Sequence, residues 1–408
     1  MTHADEMTRT GDSARRSVLF IQTADNPILG ADAWVLLRII EGLDQRTHEV
    51  HVACRRSVGH RHTPVWKELT GVGGVHVVEC NLGPELSTSG GVDKLRAVVR
   101  TIPALLTLAR LGVRIRRRGI EIVHAGDRPR DALAAVLLGR LTGAVSVIHV
   151  HQVYSQWWTR LLRWSVHRAD VVVPVSEFVA ASLVSGGVDP TRVRPVLNAV
   201  DPGRWVPGEG RQLVRAELEL GEDVPVVLTA CRLFPEKGVA DLITAFAAAR
   251  RRIPDAHLVI AGHDVRPDGA YRTELQQLAV ELGVEGEVHF VGRRDDVQHL
   301  MAAADVFALP SRDEPFGLVY LEAMSMELPV IGPAHGGALE IVRHGETGLL
   351  SSPDDLDALE ANIVTLLDDP AIRSDMGRRG RERVEACFTI RRQCEVMADV
   401  YRSARGSG

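Results

Sequence analysis

Residues 224–246, VPVVLTACRLFPEKGVADLITAF, set the fold class. The opening run of Val, Leu and Thr suits a short strand buried on both faces, as in a parallel sheet. A loop bearing Pro and Gly follows, and then a stretch of helical length. The same order recurs downstream at AHLVIAG (256–262), EVHFVG (287–292), DVFALP (305–310) and PVIGP (329–333). Upstream, SVLFIQT (17–23), HEVHVAC (48–54), VHVVEC (75–80), IEIVHA (120–125), VSVIHVH (145–151) and VVVPVS (171–176) read as strands. Helix-length amphipathic stretches at 31–43, 92–118, 130–142 and 156–168 lie between most of them. One Pro/Gly-rich stretch, VDPGRWVPGEG (200–210), breaks the alternation and reads as a linker. A chain of 408 residues is too long for one ordinary core. The pattern therefore predicts two successive doubly wound α/β units, with ligands beyond the carboxyl ends of the strands.

Composition narrows the class. An apolar content of 45% with 25% charged residues describes a soluble globular protein. No stretch approaches the roughly 18 apolar residues of a membrane span. The polar opening MTHADEMTRTGDSARR is expected to be a disordered tail, and the VLFI after it is too short for a signal-peptide core. Five cysteines without paired or CxxC spacing predict free thiols in a reducing cytoplasm. The net charge of −5 conceals +7 over residues 1–205 and −12 over the remainder. Such asymmetry predicts two surfaces with different partners. Lysine occurs only at 67, 94 and 237, so each raises the question of whether arginine would fail there.

Two stretches carry the chemistry. In SRDEPFGLVYLEAMSMELPVIGP (311–333), a helix beginning near Phe316 would aim the N–H groups of Phe316, Gly317 and Leu318 outward as an anion site. Glu314 and Glu322, eight residues apart, would stand about 12 Å apart along a helix. Hydrolytic carboxylate pairs stand closer, about 5–9.5 Å apart, so this pair suits the two ends of an elongated ligand. The plainer alternative is two helix-surface glutamates. In the 229–246 segment, Arg232 leaves a strand end and Lys237 precedes a helix start. The two cations can converge on one diphosphate, Arg as a fork and Lys as a point charge, or else form a solvated loop pair. His149 and His151 sit two apart at another strand end, on one face, as site residues, structural histidines or a zinc pair lacking a third ligand. His124 also ends a strand and is a candidate to line the cleft.

RLFPEKG, then SRDEPFGLVYLEAM and PVIGPAHGGALEIVRHGETGLL, together resemble the retaining glycosyltransferases of family 4. The resemblance spans essentially the whole chain after the tail. It implies the GT-B architecture, two doubly wound Rossmann-like domains facing across a cleft. The expected divisions are a tail over 1–16, an acceptor-side domain over 17–205 and a nucleotide-sugar domain over 206–386. A C-terminal helix over 387–408 would pack back on the first domain. It further implies that Glu314 contacts the donor sugar's hydroxyls and Glu322 the ribose hydroxyls. The amides of Phe316, Gly317 and Leu318 would meet a phosphate or the sugar, and Arg232 with Lys237 would clamp the diphosphate. His151 rather than His149 is the histidine expected near the donor sugar. Gly30 in NPILGADAW (26–34) stands where the family carries a Gly-rich turn near the donor phosphate.

The function so implied is retaining transfer of a hexosyl-type sugar from a nucleotide-diphosphate sugar to a hydroxyl, without metal or other cofactor. A nucleotide-sugar epimerase shares the architecture and is the enzymatic alternative; a non-catalytic nucleotide-sugar-binding partner subunit is the other. The acceptor is expected to be lipid-linked or a small molecule. The helices at 92–118 and 156–168 combine Arg with Leu, Val and Trp, so peripheral docking on the inner face of the membrane is a further expectation, against solvated Arg over ordinary packing. Nucleic acid is not an expected partner, because no recognition motif accompanies the negative charge.

Overall fold

The computed structural model describes residues 15–25, 29–83, 93–266 and 268–404. The expected tail lies outside these residues up to position 14. Two compact units are present. One comprises the chain up to Pro174, with Leu183–Val196 and the segment from Cys394. The other comprises Val175–Ser182 and Leu197–Gln393.

The first unit is built on a six-stranded parallel sheet. Its strands are β1 (Arg16–Gln22), β2 (His48–Cys54), β3 (Val75–Glu79), β4 (Ile122–Gly126), β5 (Val145–Val150) and β6 (Val171–Pro174), in the spatial order β3-β2-β1-β4-β5-β6. The second unit repeats this plan with β7 (Val226–Ala230), β8 (His257–Ala261), β9 (Val288–Gly292), β10 (Val306–Ala308), β11 (Val330–Pro333) and β12 (Gly348–Ser351), ordered β9-β8-β7-β10-β11-β12. Each order reverses direction beside its first strand, the switch point at which doubly wound sheets bind ligands.

Strands buried on both faces explain the continuous apolar runs. In the first unit Leu19, Ile21, Val123 and Ala125 pack against Leu111, Ile115 and Leu138 from the helices Asp93–Arg118 and Pro129–Thr142. In the second, Val227 and Leu258 pack against Phe246 and Ile363 from the helices Val239–Ala249 and Leu356–Asp368. Arg215 is 1% exposed and still fully engaged: it donates to the carbonyls of Ala303, Gly221 and Val224 and pairs with Asp305 at 3.1 Å. Asp305 also accepts from the Val226 N–H, which fixes the start of β7.

The division between the units is not a single cut. After β6, Ser176 Oγ donates to the Pro315 carbonyl at 2.6 Å, and the Glu340 carboxylate accepts from the N–H groups of Glu177 and Phe178, both at 3.0 Å. That segment therefore belongs with the second unit. At the chain's end, the helix Ile390–Ser403 brings Tyr401 into the first unit, where its hydroxyl meets His124 Nδ1 at 2.5 Å. No described helix is long and apolar enough to cross a membrane.

Candidate active site

At the carboxyl end of β7 the chain turns through Cys231 and Leu233, whose N–H groups donate to Ala261 and His263. A single 3-10 turn, Pro235–Lys237, then delivers Lys237 to the start of the helix Val239–Ala249. Arg232 is exposed and Lys237 half-buried. Both lie over the ring of Phe234, at 5.4 and 5.6 Å from its centroid. Each such cation–π contact is worth about 0.5–2 kcal/mol depending on exposure. One aromatic ring thus steadies the two cations that the sequence singled out.

Lys237 has a second partner. Its Nζ donates to Glu314 Oε2 at 2.6 Å, with the side chains only 14% and 11% exposed. Glu314 lies on the loop after β10, held from behind by its own carbonyl, which accepts from the Gly337 N–H at 2.9 Å. The approach is close: a Cβ on Gly336 would stand 2.7 Å from the Glu314 carbonyl oxygen, and one on Gly337 would stand 2.5 Å from the Pro315 oxygen. Two adjacent glycines are therefore a steric requirement of the loop that carries Glu314.

The helix here departs from expectation. It runs Leu318–Ser325, starting two residues later than Phe316. Gly317 takes φ +102, which interrupts the helical path. Phe316 turns inward, 2% exposed, and meets Phe388 edge-on at 6.3 Å. Glu314 is consequently a loop residue, and only Glu322 stands on the helix; the 12 Å spacing along one helix does not apply. The Tyr320 N–H bonds the Gly317 carbonyl at 3.0 Å, leaving Leu318 and Val319 as the first-turn donors. Glu322 is half-buried, and desolvation pushes its carboxyl up to about 7.

In the first unit the three histidines separate. His124 is fully buried against Phe20 and Tyr401, so it does not line a cleft; the helix Ile390–Ser403 claims it for packing. His149 is also fully buried, neither ring nitrogen has a partner, and burial holds its pKa well below the usual value. His151 alone of the three reaches the surface. It stacks on His149 at 4.5 Å, and its N–H donates to Asp127 Oδ2 at 2.9 Å. Gly30 caps the helix Ala31–Gly42 with an ordinary φ of −75. The residues 26–28 of its turn lie outside the described residues. Among the described residues no group of three or more His, Cys, Asp or Glu could hold a metal ion. The five cysteines are free.

Sequence reasoning passed over the Gly336–Gly337 pair, although the doubled glycine in AHGGALE was a visible signal. It also passed over Arg312, which bonds the lysine-bearing loop; in a chain with 45 arginines nothing marked it out.

The family model for glycosyl transferases group 1 matches residues 210–383, and that for Glycosyltransferase Family 4 matches 33–204. The GDP-mannose-dependent monoacylated alpha-(1-6)-phosphatidylinositol monomannoside mannosyltransferase of Corynebacterium glutamicum is 33% identical over 320 residues, covering 74% of this chain and 81% of that protein. The GDP-mannose-dependent alpha-(1-6)-phosphatidylinositol monomannoside mannosyltransferase of Mycolicibacterium smegmatis is 34% identical over 296 residues, covering 69% and 76%. Among solved structures, Anabaena Alr3699/HepE in complex with UDP and glucose superposes with a TM-score of 0.77 over 95% of this chain and 100% of that one, at 22% identity. With two Rossmann-like units and these relatives, the chain belongs to the family 4 glycosyltransferases and is a glycosyltransferase of GT-B fold.

Proposed function

We propose that the protein transfers a hexosyl sugar, with retention of configuration, from a nucleotide-diphosphate sugar to an acceptor hydroxyl. The observation that carries this reading is the Lys237–Glu314 ion pair at the strand ends of the second unit, with Arg232 beside it over the same phenylalanine. The carboxylate holds the ammonium at 2.6 Å. A donor diphosphate competes for Lys237 and frees Glu314 to accept from the sugar's hydroxyls. Arg232 and Lys237 then stabilise the charge that grows on the leaving diphosphate, the task a metal ion would otherwise perform. Glu322 accepts from the ribose hydroxyls, the first-turn amides of the helix Leu318–Ser325 face a phosphate, and His151 serves the sugar. With Glu314 taken up by the sugar's hydroxyls, no carboxylate is placed as a covalent nucleophile. Retention is then a front-face displacement in which the leaving phosphate oxygen takes the acceptor's proton.

GDP-mannose is the donor to try first, since two relatives above 30% identity are named as GDP-mannose-dependent. The acceptor in this reading is an alcohol at an anionic membrane surface in the cytoplasm, where the free thiols stay reduced. Support comes from the described part of the helix Asp93–Arg118, which exposes Leu105, Leu106 and Val113 among arginines, and from Trp157, 86% exposed. The test of the donor reading is a thermal-shift screen of UDP-, GDP- and ADP-sugars. A ligand at 100 times its Kd adds about 2.7 kcal/mol to stability. One nucleotide class should stabilise the wild type and act more weakly on Lys237→Ala; no shift with any of them would refute the donor site.

A further inference from the structure

Arg312 joins three loops at the edge of the site. Its backbone N–H donates to the Glu236 carbonyl at 2.8 Å, and the neighbouring Ser311 hydroxyl donates to the same oxygen at 3.2 Å. Glu236 immediately precedes Lys237, and Arg312 lies two residues before Glu314. The guanidinium meets Asp241 Oδ2 at 2.9 Å, in the first turn of the helix that Lys237 introduces. It also grips Asp354, on the loop after β12, through Nη2 and through Nε at 3.1 Å. Asp354 is held at φ +70, a backbone state that glycine adopts readily and aspartate does not.

We infer that Arg312 is a positioning residue for sugar transfer: it sets the register between the loop carrying Lys237 and the loop carrying Glu314, and pins both to the loop after β12. This rests on the proposed roles of Lys237 and Glu314. The reasoning is geometric. The Lys237–Glu314 contact spans two loops, each free to slide unless something ties them together. The Arg312 backbone N–H and the Ser311 hydroxyl make one tie, at the Glu236 carbonyl, which every Arg312 variant keeps; the guanidinium makes the other, through Asp241 and Asp354, since a fork can hold two carboxylates at once where an ammonium makes a single point contact. Arg312 also neutralises Asp241 and Asp354, which would otherwise repel an incoming diphosphate. Its side chain is 39% exposed, and exposed ion pairs add little to global stability. The residue should therefore matter far more to rate than to folding.

The experiment measures kcat, donor KM and Tm for the wild type, Arg312→Ala, Arg312→Lys and Asp354→Gly, and repeats Arg312→Ala in a Lys237→Ala background. Misplacing reacting groups by about 1 Å costs up to about a hundredfold, so kcat of Arg312→Ala should fall at least about tenfold. Donor KM and Tm should change little, and Arg312→Lys should recover part of the loss. Asp354→Gly removes one carboxylate and relieves the backbone, so it should lower kcat with Tm unchanged or raised. If Arg312 acts through Lys237, its loss in the Lys237→Ala background should cost less than about threefold. An active wild type with full turnover in Arg312→Ala, or an undiminished loss in the Lys237→Ala background, overturns this inference alone. A wild type inert with every nucleotide sugar overturns the transfer reading on which it rests.

Discussion

Replacing Lys237 with alanine should separate folding from transfer. The substitution deletes the ammonium 2.6 Å from Glu314 and leaves that carboxylate about nine-tenths buried without its cation. Breaking a buried pair typically costs 3–5 kcal/mol, and the slight exposure of both partners places this case near 3 kcal/mol. In a unit of this size each kcal/mol moves Tm by about 2–4 °C, so the expected drop is about 6–12 °C. A typical domain is stable by about 5–15 kcal/mol and remains folded. The rate should suffer more visibly: losing one preorganised cation at the leaving group costs about 3 kcal/mol of transition-state stabilisation, roughly a hundredfold. A second variant divides the two effects. Lys237→Ala with Glu314→Gln no longer buries an unpaired charge, so Tm should recover in part while turnover stays low. Lys237→Arg should also be impaired, since a planar guanidinium does not fit the point contact between Glu314 and Phe234. The assay is nucleoside diphosphate release at saturating donor, alongside calorimetry. Turnover of Lys237→Ala within about threefold of the wild type, or a rate that recovers together with Tm, would refute the assignment.

Three further outcomes are expected. If Arg232 and Lys237 compensate the leaving group's charge as proposed, excess EDTA should leave transfer largely intact; activity lost to EDTA and regained with magnesium or manganese would contradict this. Glu322 has its folded pKa raised from 4.5 to about 7 by burial, so the folded state keeps a proton that the unfolded chain has released. Stability should therefore fall as pH rises from about 4.5 to 7, and urea unfolding should show Glu322→Gln gaining on the wild type at pH 8 but not at pH 4; an equal gain at both would argue against it. Vesicles rich in anionic lipid should co-sediment with the protein at low salt and release it steeply by physiological salt, as about 1 kcal/mol per basic residue is screened. Failure to co-sediment even at low salt would discard membrane docking and leave the transferase untouched.

Most strands were legible because parallel strands buried on both faces write themselves as unbroken Val/Ile runs; β12 (Gly348–Ser351), short and without Val or Ile, was passed over. That Arg232 and Glu314 follow strand ends was legible for a related reason: those ends are visible in the sequence. What failed depended on contacts distant in sequence. The helix start near Phe316 was misplaced because Phe316 has its partner at Phe388, and Gly317 takes a left-handed turn to let it in. His124 read as a cleft residue because its partner Tyr401 lies 277 positions downstream. Arg312 gave no sign because its partners, Asp241 on a helix and Asp354 on a loop, are brought together only by the folded sheet.

The proposed retention is the point on which the front-face route and the distinction from an epimerase both turn. The decisive measurement is the NMR anomeric coupling of the first product formed from an α-configured nucleotide sugar and an acceptor alcohol, recorded before any re-equilibration. A glycoside with the donor's anomeric configuration, formed only when acceptor is present, is the predicted result. An inverted glycoside, or conversion of the donor to another nucleotide sugar without acceptor, would contradict the account.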